Sequence, residues 1–221
     1  MGIKEDLMDK LSGKGYEDWK IENIIESLEE DAKQLGKTLK ELVEGKQVLT
    51  GLNLDLVSGV DNPAQPSSTV ELKAKNTDHN FKFDTPLLVQ KNTDDKDKKM
   101  LVNKDEPEKQ ISYAPVLVPG VADKQDDVVP SAVIEDTAHK FLSEEENDAI
   151  DVNHDMQDGR GLIVESWLTK EKKEYDTVDG ESITYPEGTW MMAVKWDDEA
   201  WKMVKEGEIE GFSIYGSGEG I

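Results

Sequence analysis

Ser213 in the segment GFSIYG and His154 in the segment AIDVNHD are the side chains whose types and settings could perform acyl transfer. A serine hydroxyl becomes a nucleophile when a neighbouring imidazole takes its proton. The imidazole does this best at the edge of a scaffold, with a carboxylate near enough to orient the ring and stabilise its cation. His154 follows a strand-like run and precedes the loop MQDGRG, with Asp151 and Asp155 on either side. Of the other histidines, His139 in the helical run EDTAHKFL reads as structural, and His79 in NTDHNFKF as an exposed bystander. For Ser213, strand alternation turns Phe212 and Ile214 to one face and the hydroxyl to the other, toward solvent or a pocket. Gly211 and Gly216 would let other backbone come close and could free an amide for an oxyanion. On local sequence alone the blander roles stay open: a hydrogen-bonded structural histidine, and a serine on the polar face of a strand.

Other chemistries find less support. The chain has no cysteine, which excludes a disulfide framework, a thiol nucleophile and a cysteine-ligated metal. Acidic runs such as EEEND lack the glycine and spacing of a calcium loop, and the histidines form no HExxH pattern, so no metal or other cofactor is expected. Ser213 does not sit in a G-x-S-x-G elbow, because Tyr215 holds the last position, which disfavours an α/β-hydrolase. With 49 acidic against 26 basic residues the formal charge is −23, so the chain repels phosphate backbones and direct nucleic-acid binding is not expected. The opening MGIKEDLMDKL lacks the basic and apolar regions of a signal peptide, and no run approaches the ~18 apolar residues of a membrane span. A cytosolic location is the simplest expectation, with no membrane partner.

The elements that must hold these residues are legible from periodicity. From Tyr16 to Val43, Ile21, Ile24, Ile25, Leu28, Ala32, Leu35, Leu39, Leu42 and Val43 recur at spacings of three and four. This pattern predicts two helices, broken at Gly36, with Thr38 and Glu41 as a capping box and a stop at Gly45. The stripe could pack on its own domain or dock on another subunit. Leu52, Leu54 and Leu56 alternate as in a strand, Val70 and Leu72 repeat the pattern, and the breakers Asp61–Pro63 and Gln65–Pro66 predict a turn between two short strands. Residues 76–109 are mostly charged and amide-bearing, including TDDKDKK, and read as a linker that could still hold short strands at TPLLVQ and KMLV.

Beyond Ile111 the texture is a buried strand, a Pro-Gly turn and the entry to a second strand. A helix then follows from Ser131 through Leu142, with strands at 149–153, 161–168 and 189–194, a helix at 199–204 and a last strand at 209–215. The expected class is α+β: a β-rich, barrel-like domain with flanking helices, preceded by an N-terminal helical segment. The expected organisation is a helical arm over 1–46, a short β segment over 47–75, an acidic and partly flexible linker over 76–109, and the β-rich domain over 110–221.

Several segments, taken in order, carry a resemblance. VSGVDNPAQP, PVLVPGVADKQDDVV, DVNHD, GLIVESW, PEGTWMMAVKW and VKEGEIEGFSIYG together resemble the XkdF-type phage serine proteases, relatives of the prohead proteases that mature capsids. The resemblance runs from about Leu54 to Gly216. It implies a herpesvirus-assemblin-like β-barrel in which His154 is the general base and Ser213 the nucleophile. It also implies an acidic third member, here open among Asp155, Glu165, Asp127 and Glu219, or else a dyad, and a glycine at the position that Asp126 holds. The expected function is a prohead endopeptidase that cleaves scaffold segments, the major capsid protein and itself, inside a procapsid assembling in the bacterial host cytoplasm, with self-association a further expectation. Its rival is an inactive scaffold or head-morphogenesis protein on the same fold, for which His154 and Ser213 should lie beyond roughly 4 Å. An acidic mimic of nucleic acid would instead need its carboxylates along one ordered face.

Overall fold

A computed structural model describes residues 2–60, 71–73, 80–81, 85–86, 109–122, 126–144, 148, 150–157, 159–176, 182–209 and 211–221. The expected turn at Asp61–Pro66, the strand residue Val70, the run TDDKDKK, the island KMLV and His79 lie outside these residues.

Three helices come first. α1 (Ile3–Gly13) buries Leu7 and Leu11, one turn apart, a short stripe that precedes the one predicted from Tyr16. α2 (Asp18–Gln34) buries Ile21, Ile24, Ile25, Leu28 and Ala32 along one face, as their spacing predicts. It ends where Gly36 takes φ 67° and the Lys37 amide donates back to the Ala32 carbonyl at 2.8 Å. The capping box of α3 (Leu39–Val43) forms as expected: the Glu41 amide donates to Thr38 Oγ1 at 3.2 Å, and the Thr38 amide to Glu41 Oε2 at 2.8 Å. The apolar faces of all three helices join one core with the strands, so this stripe packs on its own chain.

β1 (Gln47–Val60) is the spine of the main sheet. Leu52, Leu54 and Leu56 are buried and alternate with exposed Asn53 and Asp55; from Leu56 to Val60 every residue is buried, because the strand enters the interior. Three short strands follow, β2 (Glu71–Lys73), β3 (Asn80–Phe81) and β4 (Thr85–Pro86), the last inside the TPLLVQ island. Then come β5 (Ile111–Leu117), β6 (Asp127–Val128), α4 (Ser131–Glu144), β7 (Ile150–Val152), β8 (Gly161–Leu168), β9 (Lys173–Asp176), β10 (Ser182–Tyr185), β11 (Trp190–Trp196), α5 (Asp198–Glu206) and β12 (Gly211–Gly220). The β9–β10 hairpin was not anticipated. Asp126 precedes β6 with φ 62°, a conformation that glycine enters freely and that accounts for the glycine implied at this position.

The main sheet runs β3-β2-β12-β1-β6, with β7 also on β1 and β4 also on β12; β5-β11-β8 is a second, antiparallel sheet. Trp190, Met192, Val194 and Trp196 of β11 share the core with Phe212 and Ile214 of β12. The architecture is α+β, but the expected barrel is not closed: among the described residues the strands form three separate sheets. β6 offers only two ladder positions beside Gln47 and Val48, so the main sheet stops there instead of continuing round to the second.

Candidate active site

Strand register assembles the site. β12 runs antiparallel to β1 with Ser213 opposite Ser58, and β7 runs parallel to β1 on its other side with Asp151 at the Ser58 position. Partners directly across a ladder share a face of the sheet, so Ser213, Ser58 and Asp151 form a row over three adjacent strands. His154 is folded back over that row by a tight turn. The Asn153 amide still donates to the Gly59 carbonyl at 2.8 Å, then Asn153 and His154 take φ 54° and 56°, and the Asp155 amide closes on the Val152 carbonyl at 3.1 Å. Asn and His enter the left-handed region more readily than most residues with a side chain, and the two flanking bonds hold the turn.

The result is a continuous hydrogen-bonded chain. His154 Nε2 lies 2.9 Å from Ser213 Oγ, and His154 Nδ1 lies 2.8 Å from Ser58 Oγ. Ser58 Oγ donates to Asp151 Oδ1, and Asp151 Oδ2 accepts the Met156 amide at 2.9 Å. Ser213, Ser58 and Asp151 are buried at 1%, 0% and 0% exposure, while His154 is half-buried. The Tyr215 ring lies 6.5 Å from the imidazole, centroid to centroid. Such an array can pass a proton from the Ser213 hydroxyl to the imidazole, with the Ser58 hydroxyl and the Asp151 carboxyl behind the ring.

Ser213 and His154 lie in contact, and the serine faces a closed interior rather than solvent. Its neighbours Phe212 and Ile214 are fully buried too, because β12 is covered on both faces. The four carboxylates named for the third position are placed otherwise. Asp127 pairs with Gln47 at the far end of β1, roughly 35 Å from Ser58 at the usual strand rise, and Glu219 lies opposite Gly51, roughly 20 Å along β12 from Ser213. Glu219 accepts the Tyr16 hydroxyl at 3.1 Å. Glu165 is exposed on β8 opposite Ala193, in the other sheet. Asp155 is exposed and turns to its own loop, accepting the Gln157 amide at 3.0 Å. Asp151, noted beside His154 in the sequence but not among the four, bonds Ser58, whose Oγ in turn contacts His154 Nδ1. Ser58 was missed outright; its only local signal is a hydroxyl inside VSGV, where β1 stops alternating. Gly216 stands opposite Leu54, where a Cβ would lie 2.0 Å from the Asn53 carbonyl oxygen, so close backbone approach is what requires this glycine. His139 is exposed on α4, away from this chemistry.

YqbD of Bacillus subtilis (strain 168), an uncharacterized protein, is 35% identical over 121 residues, covering 55% of this chain and 35% of that protein. The XkdF protein of the phage-like element PBSX, from the same strain, is 30% identical over 121 residues, covering 55% of this chain and 42% of its own length. The aligned part is thus less than half of either relative, and no solved structure matches the chain. A family model matches residues 98–221, more than half of the chain, and by that match the chain belongs to the family described as "Putative phage serine protease XkdF".

Proposed function

We propose that this chain is a serine endopeptidase of phage head maturation, with Ser213 as nucleophile and His154 as general base. The observation that carries the reading is the 2.9 Å contact between His154 Nε2 and Ser213 Oγ, made by residues 59 positions apart. The inactive rival called for a separation beyond bonding distance. In the forward step the Ser213 proton moves to Nε2 while Oγ bonds to the scissile carbonyl carbon, whose π electrons move onto its oxygen. Collapse of that intermediate breaks the C–N bond, and Nε2 gives the proton to the departing amine. Water then repeats the sequence on the acyl-enzyme and releases the acid. In this reading the substrates are capsid and scaffold segments and the chain itself, and the setting is a procapsid assembling in the host cytoplasm.

One observation favours the inactive assembly protein: Ser213 is only 1% exposed. Both readings meet the same test. The protein is treated with a biotinylated fluorophosphonate, and processing of co-expressed capsid and scaffold proteins is followed by mass spectrometry. Expected are labelling at Ser213, its loss in Ser213→Ala, and arrested processing. Processing that continues in Ser213→Ala rules out the nucleophile, and a wild-type chain that neither labels nor processes is the inactive protein.

A further inference from the structure

We propose that Ser58 is a positioning residue that couples Asp151 to His154 and fixes the tautomer in which His154 can act as a base. This inference rests on the protease reading for its consequence, but not for its geometry. Ser58 Oγ carries one proton and has two polar neighbours, Asp151 Oδ1 and His154 Nδ1. An ionised carboxylate only accepts, so the Ser58 proton points to Asp151. The Ser58 lone pairs therefore face Nδ1, which must itself carry a hydrogen to make the 2.8 Å bond. A neutral imidazole protonated at Nδ1 has its free lone pair on Nε2, and Nε2 is the atom 2.9 Å from the Ser213 hydroxyl. One acceptor-only group at the start of the chain thus sets the direction of every hydrogen bond up to Ser213.

Ser58 does not compete as nucleophile. It lies on a central strand, paired on one side with β12 and on the other with β7, and its proton is committed to Asp151. When His154 takes the Ser213 proton, Nδ1 keeps its own, Ser58 keeps its own, and Asp151 stays ionised. The hydroxyl thereby brings a buried carboxylate to bear on the imidazolium without direct contact. The Met156 amide, 2.9 Å from Oδ2, holds the other carboxylate oxygen so that Oδ1 stays aimed at Ser58. Register opposite Ser213 and alongside Asp151 is the structural requirement for such a relay, and Ser58 satisfies both.

The test uses the full chain with His79→Gln and His139→Gln, so that His154 is the remaining histidine and its ring nitrogens can be read by 15N NMR. Its neutral ring is expected to carry the proton at Nδ1. In Asp151→Asn the amide can donate to Ser58, reversing the chain, so Ser58 donates to Nδ1 and the ring is expected to switch to the Nε2-protonated form. Ser58→Ala and Asp151→Asn are each expected to slow fluorophosphonate labelling of Ser213 by ~10²-fold, and the double variant by little more than either single one. An Nε2-protonated ring in the parent, or an unswitched ring in a folded Asp151→Asn, overturns the relay. So does an unchanged labelling rate in Ser58→Ala. If the parent does not label at all, the protease reading fails while the tautomer measurement still decides the relay.

Discussion

A methyl group built on Gly59, the neighbour of Ser58, would stand 2.6 Å from Trp196 Cη2 and 3.0 Å from Ile209 Cγ2. The indole is buried at 2% exposure and is held by its own N–H bond to Ser112 Oγ at 2.7 Å, so it cannot swing away cheaply. Gly59→Ala should therefore destabilise the fold by ~1–3 kcal/mol through overpacking. At this chain length that is a melting temperature lower by roughly 2–4 °C for each kcal/mol. Gly51 on the same strand is the control, because nothing lies within 4 Å of its added Cβ. Gly51→Ala should melt within a degree or two of the parent, and thermal melts of the pair check whether side-chain space at Gly59 is the cause. The indole thus requires a residue without a side chain where it crosses β1, next to Ser58.

α4 begins without a capping side chain of its own; the Ser131 amide donates instead to Asp31 Oδ2 of α2 at 2.9 Å. The helix N-terminus favours a negative charge there, yet Asp31 is 1% exposed and its Oδ1 has no hydrogen-bond partner among the described residues. Burial outweighs the help from Ser131 and lifts the Asp31 carboxyl from its ordinary 3.8 to about 6. The sign follows. Between about pH 4 and pH 6 the folded state binds the proton more tightly than the unfolded one, so the Asp31 contribution is most favourable below that window and is lost as pH rises through about 6. Asp31→Asn keeps a carbonyl to accept the Ser131 amide and carries no charge. Its melting temperature should match the parent near pH 4 and exceed it at pH 7.5, by the equivalent of about 2 to 3 kcal/mol. A difference that does not change with pH would show that the carboxyl is ionised without penalty. Asp31→Ala, which removes the cap as well, should be the less stable of the two variants at both pH values.

Across the whole molecule, local pattern made the helices and most strands readable, because periodicity and caps act over a few residues: the Thr38–Glu41 box and the span of β8 came straight from it. What stayed hidden was register. Nothing near Ser58 shows that it will lie opposite Ser213 and beside Asp151, since those pairings join positions 155 and 93 residues away; the link from Asp151 to His154 is hidden with it, because it runs through Ser58 although the two are neighbours in sequence. The barrel expectation failed likewise, because sheet closure depends on how far β6 pairs. Register makes one more outcome testable. β1 and β12 pair over ten positions with irregularities between Leu49 and Gly51 and between Leu54 and Leu56, and Gly216 packs against the Asn53 carbonyl beside the second. Bulges of this kind pin a ladder, and a one-residue slip would turn Ser213 to the opposite face. Beyond that pin, residues 217–221 add the pairs to Leu49 and Gly51–Asn53 and two bonds between Ile221 and Val48, at 3.0 and 3.1 Å. Removing residues 217–221 should therefore lower the melting temperature by roughly 5–10 °C while labelling of Ser213 at 10 °C stays within about threefold of the parent. Gly216→Ala should do the reverse in kind: its Cβ cannot coexist with the Asn53 carbonyl, so the register shifts at the pin and labelling falls by at least about tenfold even where the protein remains folded. If the truncated chain loses labelling while still folded at 10 °C, the ladder beyond Gly216, and not the irregularity, is what aligns Ser213 with His154.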